Sequence, residues 1–268
     1  MAQMVLKENM RTQILDHGYL EEIEHWGSDE RIVEAARMST GKGFLGWDPG
    51  PCPVCGGKGI LEDTDDTSPP VCYGCEGKGT VVGDRKLLAY LYSNHHDTPF
   101  EMAGVIIEVQ APIFVFREWH RHRTQSYNEM SARYVPLPDV NYIPTVERLM
   151  INSKNNKQAG VIKGATELTE EKALSYQQDL KQHYFDCEFF YQAALNNGIP
   201  KELARIHLPV GRYSKMRASA NLRNWLAFMT LRMAPGAQWE IRMYANEVAK
   251  VIERDFPETY ALFNTGRK

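Results

Sequence analysis

Two eight-residue stretches of this 268-residue chain repeat one pattern, C-x-x-C-x-G-x-G: Cys52-Pro53-Val54-Cys55-Gly56-Gly57-Lys58-Gly59 and Cys72-Tyr73-Gly74-Cys75-Glu76-Gly77-Lys78-Gly79. Sixteen residues lie between the two cysteine pairs. Cysteines two residues apart form a tight knuckle, and the glycines that follow let the backbone turn around a shared centre. Two knuckles supply four sulfurs, the tetrahedral all-thiolate set that structural zinc prefers. Cys52, Cys55, Cys72 and Cys75 are therefore predicted to hold zinc, and residues 44–82 to form a small module around it. So short a segment has no apolar core of its own, so the metal would supply its folding energy.

Two other readings of these cysteines stand beside zinc: a pair of redox dithiols, or a pair of disulfides. A redox dithiol places its C-x-x-C at a helix start in a larger βαβ context, whereas glycine-rich turns surround both copies here. Disulfides are disfavoured in the cytoplasm, where this chain is expected. The Met1 region has no basic start followed by an apolar core, and no apolar run approaches the roughly 18 to 20 residues of a membrane helix. The fifth cysteine, Cys187, sits among Tyr184, Phe185, Phe189 and Phe190 and reads as a small buried hydrophobe. Between the knuckles, Glu62, Asp63, Asp65 and Asp66 mark a solvated acidic loop. The module would staple a long loop or offer a partner-binding surface.

The second informative stretch runs from Arg117 to Tyr134. It holds Arg117, Arg121, Arg123 and Arg133 with Glu129, Ser131 and Asn128, and contains no lysine. Guanidinium groups are permanently charged and forked, and match phosphate better than ammonium does, so a phosphorylated ligand is expected. The plainer alternative is a solvated charged helix face. The apolar run Ala111 to Phe116 reads as a short buried element that delivers a loop. Beyond Arg123 the sequence is rich in Ser, Asn and Thr, which favour caps and turns.

The rest of the chain predicts a scaffold. Asp29 to Ser39 has a helical apolar stripe, Asp84 opens a second helix carrying Leu87, Leu88 and Leu91, and Ala103 to Val109 is β-branched and strand-like. Asn141 to Gly164 is polar and without period, a long connection. Thr169 to Asn196 is the longest helix, capped by Thr169, with Glu170 and Glu171 in its first turn. Lys201 to His207 makes a short helix, Val210 to Ala218 a strand, and two helices close the chain, from about Ala220 to Met233 and from Gln238 to Phe256. Strands are too few for a doubly wound sheet, so the fold class is α+β, with long helices packed on a small sheet.

Taken together the motifs resemble the flavin-dependent thymidylate synthase family. The signature is Arg121-His122-Arg123, seven residues, then Ser131-Ala132-Arg133-Tyr134. Ala35-Ala36-Arg37-Met38-Ser39, His96-Asp97-Thr98-Pro99-Phe100-Glu101, Ala204-Arg205-Ile206-His207-Leu208-Pro209, Asn221-Leu222-Arg223, Leu231-Arg232-Met233-Ala234 and Gln238-Trp239-Glu240-Ile241 follow the family's order. The resemblance spans residues 1–268 except for the insertion at 44–82, whose knuckles resemble the cysteine-rich repeats of DnaJ-type chaperones. The insertion falls between Ser39 and His96, where the family runs directly from one helix to the next, and would be an appendage to the catalytic domain.

The resemblance implies reductive methylation of dUMP to dTMP. Methylenetetrahydrofolate would be the carbon donor, FAD the cofactor and NADPH the reductant, in a cytoplasmic homotetramer with shared active sites. By motif position, His96, Thr98, Glu101, Arg121, His122, Arg123, Glu129, Asn221 and Arg223 would hold FAD. Glu118, Arg121, Glu129, Ser131, Ala132, Arg133, Arg205 and Arg232 would hold dUMP, Arg205 reaching a nucleotide of a neighbouring subunit. Arg232 matches the arginine that polarises the uracil ring, where a fixed cation stabilises developing negative charge. No cysteine lies in these motifs, which disfavours the nucleophilic-cysteine route of the flavin-independent enzymes. Ser131 has no evident activating base and is assigned to binding.

Three positions depart from the family pattern. Glu118 stands where glutamine is usual, and its carboxylate would repel phosphate unless an arginine pairs with it. Ala227 replaces a flavin-contacting asparagine, and Gly236 a histidine. The competing class is a non-catalytic zinc-containing protein that binds nucleotide or nucleic acid. The formal net charge of −3 and the acidic loop weigh against nucleic acid, which attracts basic surfaces.

Overall fold

The computed structural model describes residues 11–61, 69–151, 160–161 and 165–266. In chain order its elements begin with β1 (Thr12–Ile14), β2 (Gly18–Trp26), α1 (Asp29–Arg37), β3 (Gly50–Pro51), β4 (Thr80–Val81) and α2 (Arg85–Ser93). Next come β5 (Gly104–Pro112), α3 (Ile113–Trp119), β6 (Ser126–Glu129), α4 (Val146–Met150) and α5 (Glu170–Asn196). The chain closes with α6 (Lys201–Ala204), β7 (Tyr213–Asn221), α7 (Leu222–Arg232), α8 (Trp239–Asp255) and α9 (Pro257–Thr265). Helices and strands are mixed without a doubly wound sheet, so the fold is α+β.

The chain divides into two compact units. The first comprises Met1–Ile23, Ile106–Ser219 and Phe228–Val248. Its sheet has the order β1-β2-β5-β7-β6. β1 pairs antiparallel with β2, Ile14 facing Gly18, and β6 pairs antiparallel with β7, Ser126 facing Ser219 and Glu129 facing Met216. Along β5, Ile107, Val109 and Ala111 are fully buried and alternate with half-buried residues, the period of a strand with one face on the core. α8 places Ile241, Tyr244, Ala245 and Val248 at helical spacing into that core. Trp119 stacks on Phe228 with ring centroids 4.7 Å apart.

The second unit comprises Glu24–Val105, Ala220–Ala227 and Ala249–Lys268. Ser28 caps α1 by accepting a hydrogen bond from the Arg31 N–H, which satisfies one of the donors a helix start leaves open. Asp29, 3% exposed, accepts from the N–H groups of Glu258 and Thr259 and from the Thr259 hydroxyl at 2.6 Å. One carboxylate of α1 thus caps the start of α9.

The stems of the insertion close on Asp84, which is fully buried. Its carboxylate accepts from Arg37 at the end of α1 and from the Leu45 N–H at 2.7 Å, and its own N–H donates to the Gly46 carbonyl. Trp47 Nε1 donates to Glu30 of α1 at 3.1 Å. Beyond this closure, β3 pairs with β4.

The elements correct several expectations. Residues after Arg123 form β6 rather than a turn-rich loop, because their hydrogen bonds go to β7. The connection from Asn141 contains α4, capped by the Thr145 hydroxyl; residues 152–159 and 162–164 of it lie outside the described residues, as does the acidic loop of Glu62, Asp63, Asp65 and Asp66. Cys187 is half-buried rather than buried, and Phe185, Phe189 and Phe190 around it are exposed. No helix among the described residues is long and apolar enough to cross a membrane.

Candidate active site

In the first unit, α3 delivers the arginine loop at its C-terminal end. The loop is held from below. His122 N–H donates to the Trp119 carbonyl, Gln125 N–H to the His122 carbonyl, and Trp119 Nε1 to Gln125 Oε1 at 3.1 Å. The Tyr127 hydroxyl, brought in by β6, bonds the carbonyls of both Trp119 and His122, the latter at 2.7 Å. With its backbone satisfied in this way, the loop projects the guanidinium groups of Arg121 and Arg123 outward. Both are exposed and make no hydrogen bond or ion pair with the described residues.

Arg232, the last residue of α7, meets this loop through all three of its nitrogens. Nη1 donates to Glu118 Oε2 at 2.6 Å, Nη2 to the Glu118 carbonyl at 2.8 Å, and Nε to His122 Nε2 at 2.8 Å. Glu118 is thus paired by an arginine, which offsets its carboxylate charge. His122 also packs edge-on against Phe228, 4.9 Å between centroids. Burial and the neighbouring Arg232 charge hold the His122 pKa down at about 4, so the ring is neutral and can accept the Arg232 bond.

Beyond β6 the chain places Ser131, Ala132 and Arg133 in a turn. Ser131 Oγ accepts from the Arg133 N–H at 3.3 Å, and no histidine or carboxylate among the described residues bonds it, which leaves it without the base a serine nucleophile needs. Arg133 pairs with Glu202 at 3.1 Å, and Lys201 donates to the Tyr134 carbonyl at 2.9 Å. A cleft of ≈ 290 Å³ lies there, lined by Arg133, Tyr134, Pro200, Lys201 and Glu202. Arg205 is half-buried in the turn after α6, and Glu129 ends β6 with its side chain exposed.

The second unit gathers the other motif. Arg223, in the first turn of α7, donates to Asp97 at 2.8 Å and lies 3.8 Å from Glu101. Asn221 Oδ1 accepts from the Asn224 N–H and so starts α7. Thr98 and His96 are exposed, the His96 ring 5.6 Å from that of Tyr90. Asp97 was not singled out in the sequence. Its partner is 126 residues away, and no local spacing announces such a pair. The same holds for the bond between Arg232 and His122.

The insertion brings all four cysteines together, as their spacing predicted. Each is buried, none is in a disulfide, and the four sulfurs lie within 4.8 Å of one another. The Cys52–Cys72 and Cys55–Cys75 separations are 3.8 and 3.7 Å, and a tetrahedron with metal–sulfur bonds of ~2.3 Å has edges of about 3.8 Å. The two knuckles mirror each other. Gly59 N–H donates to Cys55 Sγ and Gly79 N–H to Cys75 Sγ, both at 3.2 Å, while Cys52 N–H bonds the Gly79 carbonyl and Cys72 N–H the Gly59 carbonyl. Both glycines have φ near +75°, and a Cβ on either would lie 2.6 Å or less from a backbone oxygen of the other knuckle.

An α+β fold thus presents a cation-rich loop, a clamped arginine and, among the described residues, no serine or cysteine paired with a base, the features of an anion-binding rather than a nucleophilic site. The protein family described as thymidylate synthase complementing protein matches residues 22–258. The flavin-dependent thymidylate synthase of Thermus thermophilus is 35% identical over 250 residues, covering 93% of this chain and 77% of the relative. That of Rickettsia prowazekii is 32% identical, covering 95% and 78%. Among solved structures, the UMP/dUMP methylase PolB from Streptomyces cacaoi, bound with 5-Br UMP, superposes with a TM-score of 0.69 at 26% identity, covering 92% of this chain and 94% of that one. The chain belongs to the flavin-dependent thymidylate synthase family.

Proposed function

We propose that the protein converts dUMP to dTMP with methylenetetrahydrofolate as carbon donor, FAD as bound cofactor and NADPH as reductant. Methylation of dUMP is the reaction of this family, and the chain performs it as a flavin-dependent thymidylate synthase. The observation that carries the residue assignments is the set of guanidinium groups on one short loop. Arg121 and Arg123 are uncommitted, and Arg232 is fixed beside them by Glu118 and His122.

The donor set suits an anionic dinucleotide. By motif position, His96, Thr98, Glu101, Arg121, His122, Arg123, Glu129, Asn221 and Arg223 would hold FAD. Arg223 reaches that role with its charge already countered by Asp97 and Glu101. Glu118, Arg121, Glu129, Ser131, Ala132, Arg133 and Arg205 would bind dUMP, the arginines with charge-assisted bonds to its phosphate and the others with polar contacts to its sugar and base. Arg232 would face the uracil ring and stabilise negative charge at N3 and O2, the electrostatic term that preorganised donors supply without reorganising. Reduced flavin, when bound, supplies hydride and helps carry the methylene group.

The four sulfurs of residues 44–82 would hold one structural zinc ion, which the 3.7 and 3.8 Å edges fit. The module would be a metal-stapled appendage to the catalytic domain. The protein would be a cytoplasmic homotetramer with active sites shared between subunits. Phe185, Phe189 and Phe190, each more than 60% exposed on α5, favour such an assembly, since apolar area of that size is seldom left in water.

The test is release of tritium from dUMP labelled at its fifth carbon, dependent on methylenetetrahydrofolate and NADPH. Arg232→Ala is expected to bind dUMP yet release tritium at least ~100-fold more slowly. A protein that is colourless and cannot be reconstituted with FAD, or an Arg232→Ala variant at wild-type rate, overturns this reading.

A further inference from the structure

We propose that the ion pair between Lys42 and Glu76 is a latch that couples occupancy of the four-thiolate site to the chain segment after α1. This rests on the reading above that the four sulfurs hold zinc.

The two knuckles provide an internal comparison. The residue after the second cysteine is Gly56 in the first knuckle and Glu76 in the second, and both have left-handed backbone, with φ of +58° and +53°. Glycine adopts that conformation freely, whereas a residue with a side chain is disfavoured in it. A Cβ on Gly56 would meet no atom within 4 Å, so space does not separate the twins. What the side chain reaches does. Glu76 Oε1 accepts from Lys42 Nζ at 2.7 Å, a bond that Gly56 has no side chain to make.

Lys42 is held at its other end by the scaffold. Its N–H donates to the Arg37 carbonyl at 3.3 Å, and the Arg37 side chain bonds the buried Asp84. The ammonium is tucked against the second knuckle, the Lys42 side chain being 20% exposed and that of Glu76 65%. One ion pair therefore ties the second cysteine turn to the end of α1, in addition to the stems.

The backbone conformation makes this tie conditional. Glu76 follows Cys75 directly, and the turn that sets its φ closes when the thiolates are ligated, because the metal supplies the folding energy. Without the metal, nothing holds Glu76 in a conformation it disfavours. Its carboxylate then leaves, and the Lys42 ammonium is released to solvent. An exposed ion pair contributes little by itself, so the pair does not hold the turn closed in the metal's place. Control runs from the metal to the lysine.

The experiment treats the full-length protein, zinc-loaded or stripped by a chelator under reducing conditions, with acetyl-N-hydroxysuccinimide. Acetylation of Lys42 is read by peptide mass spectrometry against the exposed Lys86 as reference. In wild type, stripping is expected to raise Lys42 reactivity by ~3- to 5-fold, the factor to which an exposed ion pair corresponds. Glu76→Gln and Glu76→Gly are expected to keep their zinc yet show the raised reactivity in the loaded state. The glycine variant should bind zinc at least as tightly as wild type, because its backbone suits the turn. Loaded variants whose Lys42 is as protected as in wild type overturn the proposal. So does a wild-type Lys42 that does not respond to stripping, and that arm needs no variant. Wild-type protein that neither contains nor takes up zinc rejects the zinc reading and the coupling together, whereas bound zinc with an unresponsive Lys42 rejects the coupling alone.

Discussion

Arg232 Nε donates to His122 Nε2 at 2.8 Å, which fixes the imidazole as neutral with its proton on Nδ1. Burial and the Arg232 charge keep the folded pKa at about 4, below the ordinary value of ~6.5. The unfolded chain therefore binds this proton first as pH falls, so the stability tied to neutral His122 is complete above about pH 6.5 and is lost as pH drops toward 4. Half-exposure of the ring calls for discounting the full shift, leaving about 1–2 kcal/mol between pH 7 and pH 4.5. Urea unfolding at the two pH values checks it: the loss should shrink in His122→Asn, and equal losses in both proteins would remove His122 as the cause.

Asp84→Ala should be among the most damaging single changes in the second unit. It leaves the Arg37 guanidinium, 16% exposed, and the Leu45 N–H without their acceptor, and breaking a buried pair from one side costs about 3–5 kcal/mol. Asp84→Asn keeps an acceptor and should lose less. The midpoint of chemical denaturation gives the ranking, and an alanine variant within 1 kcal/mol of wild type, about the cost of an exposed pair, would contradict it.

Elemental analysis of protein purified under reducing conditions should find one zinc per chain in wild type and none in Cys52→Ser/Cys72→Ser. Limited proteolysis should then cut the variant within residues 44–82 while its flavin content stays at the wild-type level, since a structural metal supplies folding energy only to the segment that ligates it. Thiol titration offers the opposing result: metal-free wild-type protein with two disulfides would reject the assignment.

Local features of the sequence were legible and distant pairings were not. The apolar stripe from Asp29 to Ser39 announced α1 and the Thr169 cap announced α5, because caps and helical periods are written within a few residues. The four cysteines converge as their spacing required. β6 escaped notice because Ser126, Tyr127, Asn128 and Glu129 favour turns in isolation and become a strand only through β7, some ninety residues on. β1, β2 and α9 were missed as well, α9 because the acceptor for its first N–H groups, Asp29, is 229 residues away. At the candidate site, motif order identified Arg232 and Glu118 separately. That one clamps the other depends on where α3 and α7 end, which no residue pattern near either position encodes.

The mirrored knuckles bear on how the protein is made. Each cysteine-bearing turn borrows a carbonyl from its twin, Cys52 from Gly79 and Cys72 from Gly59, so neither half is complete alone. During synthesis the first turn must wait, two thiolates exposed, until the ribosome has delivered Gly79. Any oxidant met in that interval finds exposed thiols, whereas the finished fold buries all four knuckle cysteines.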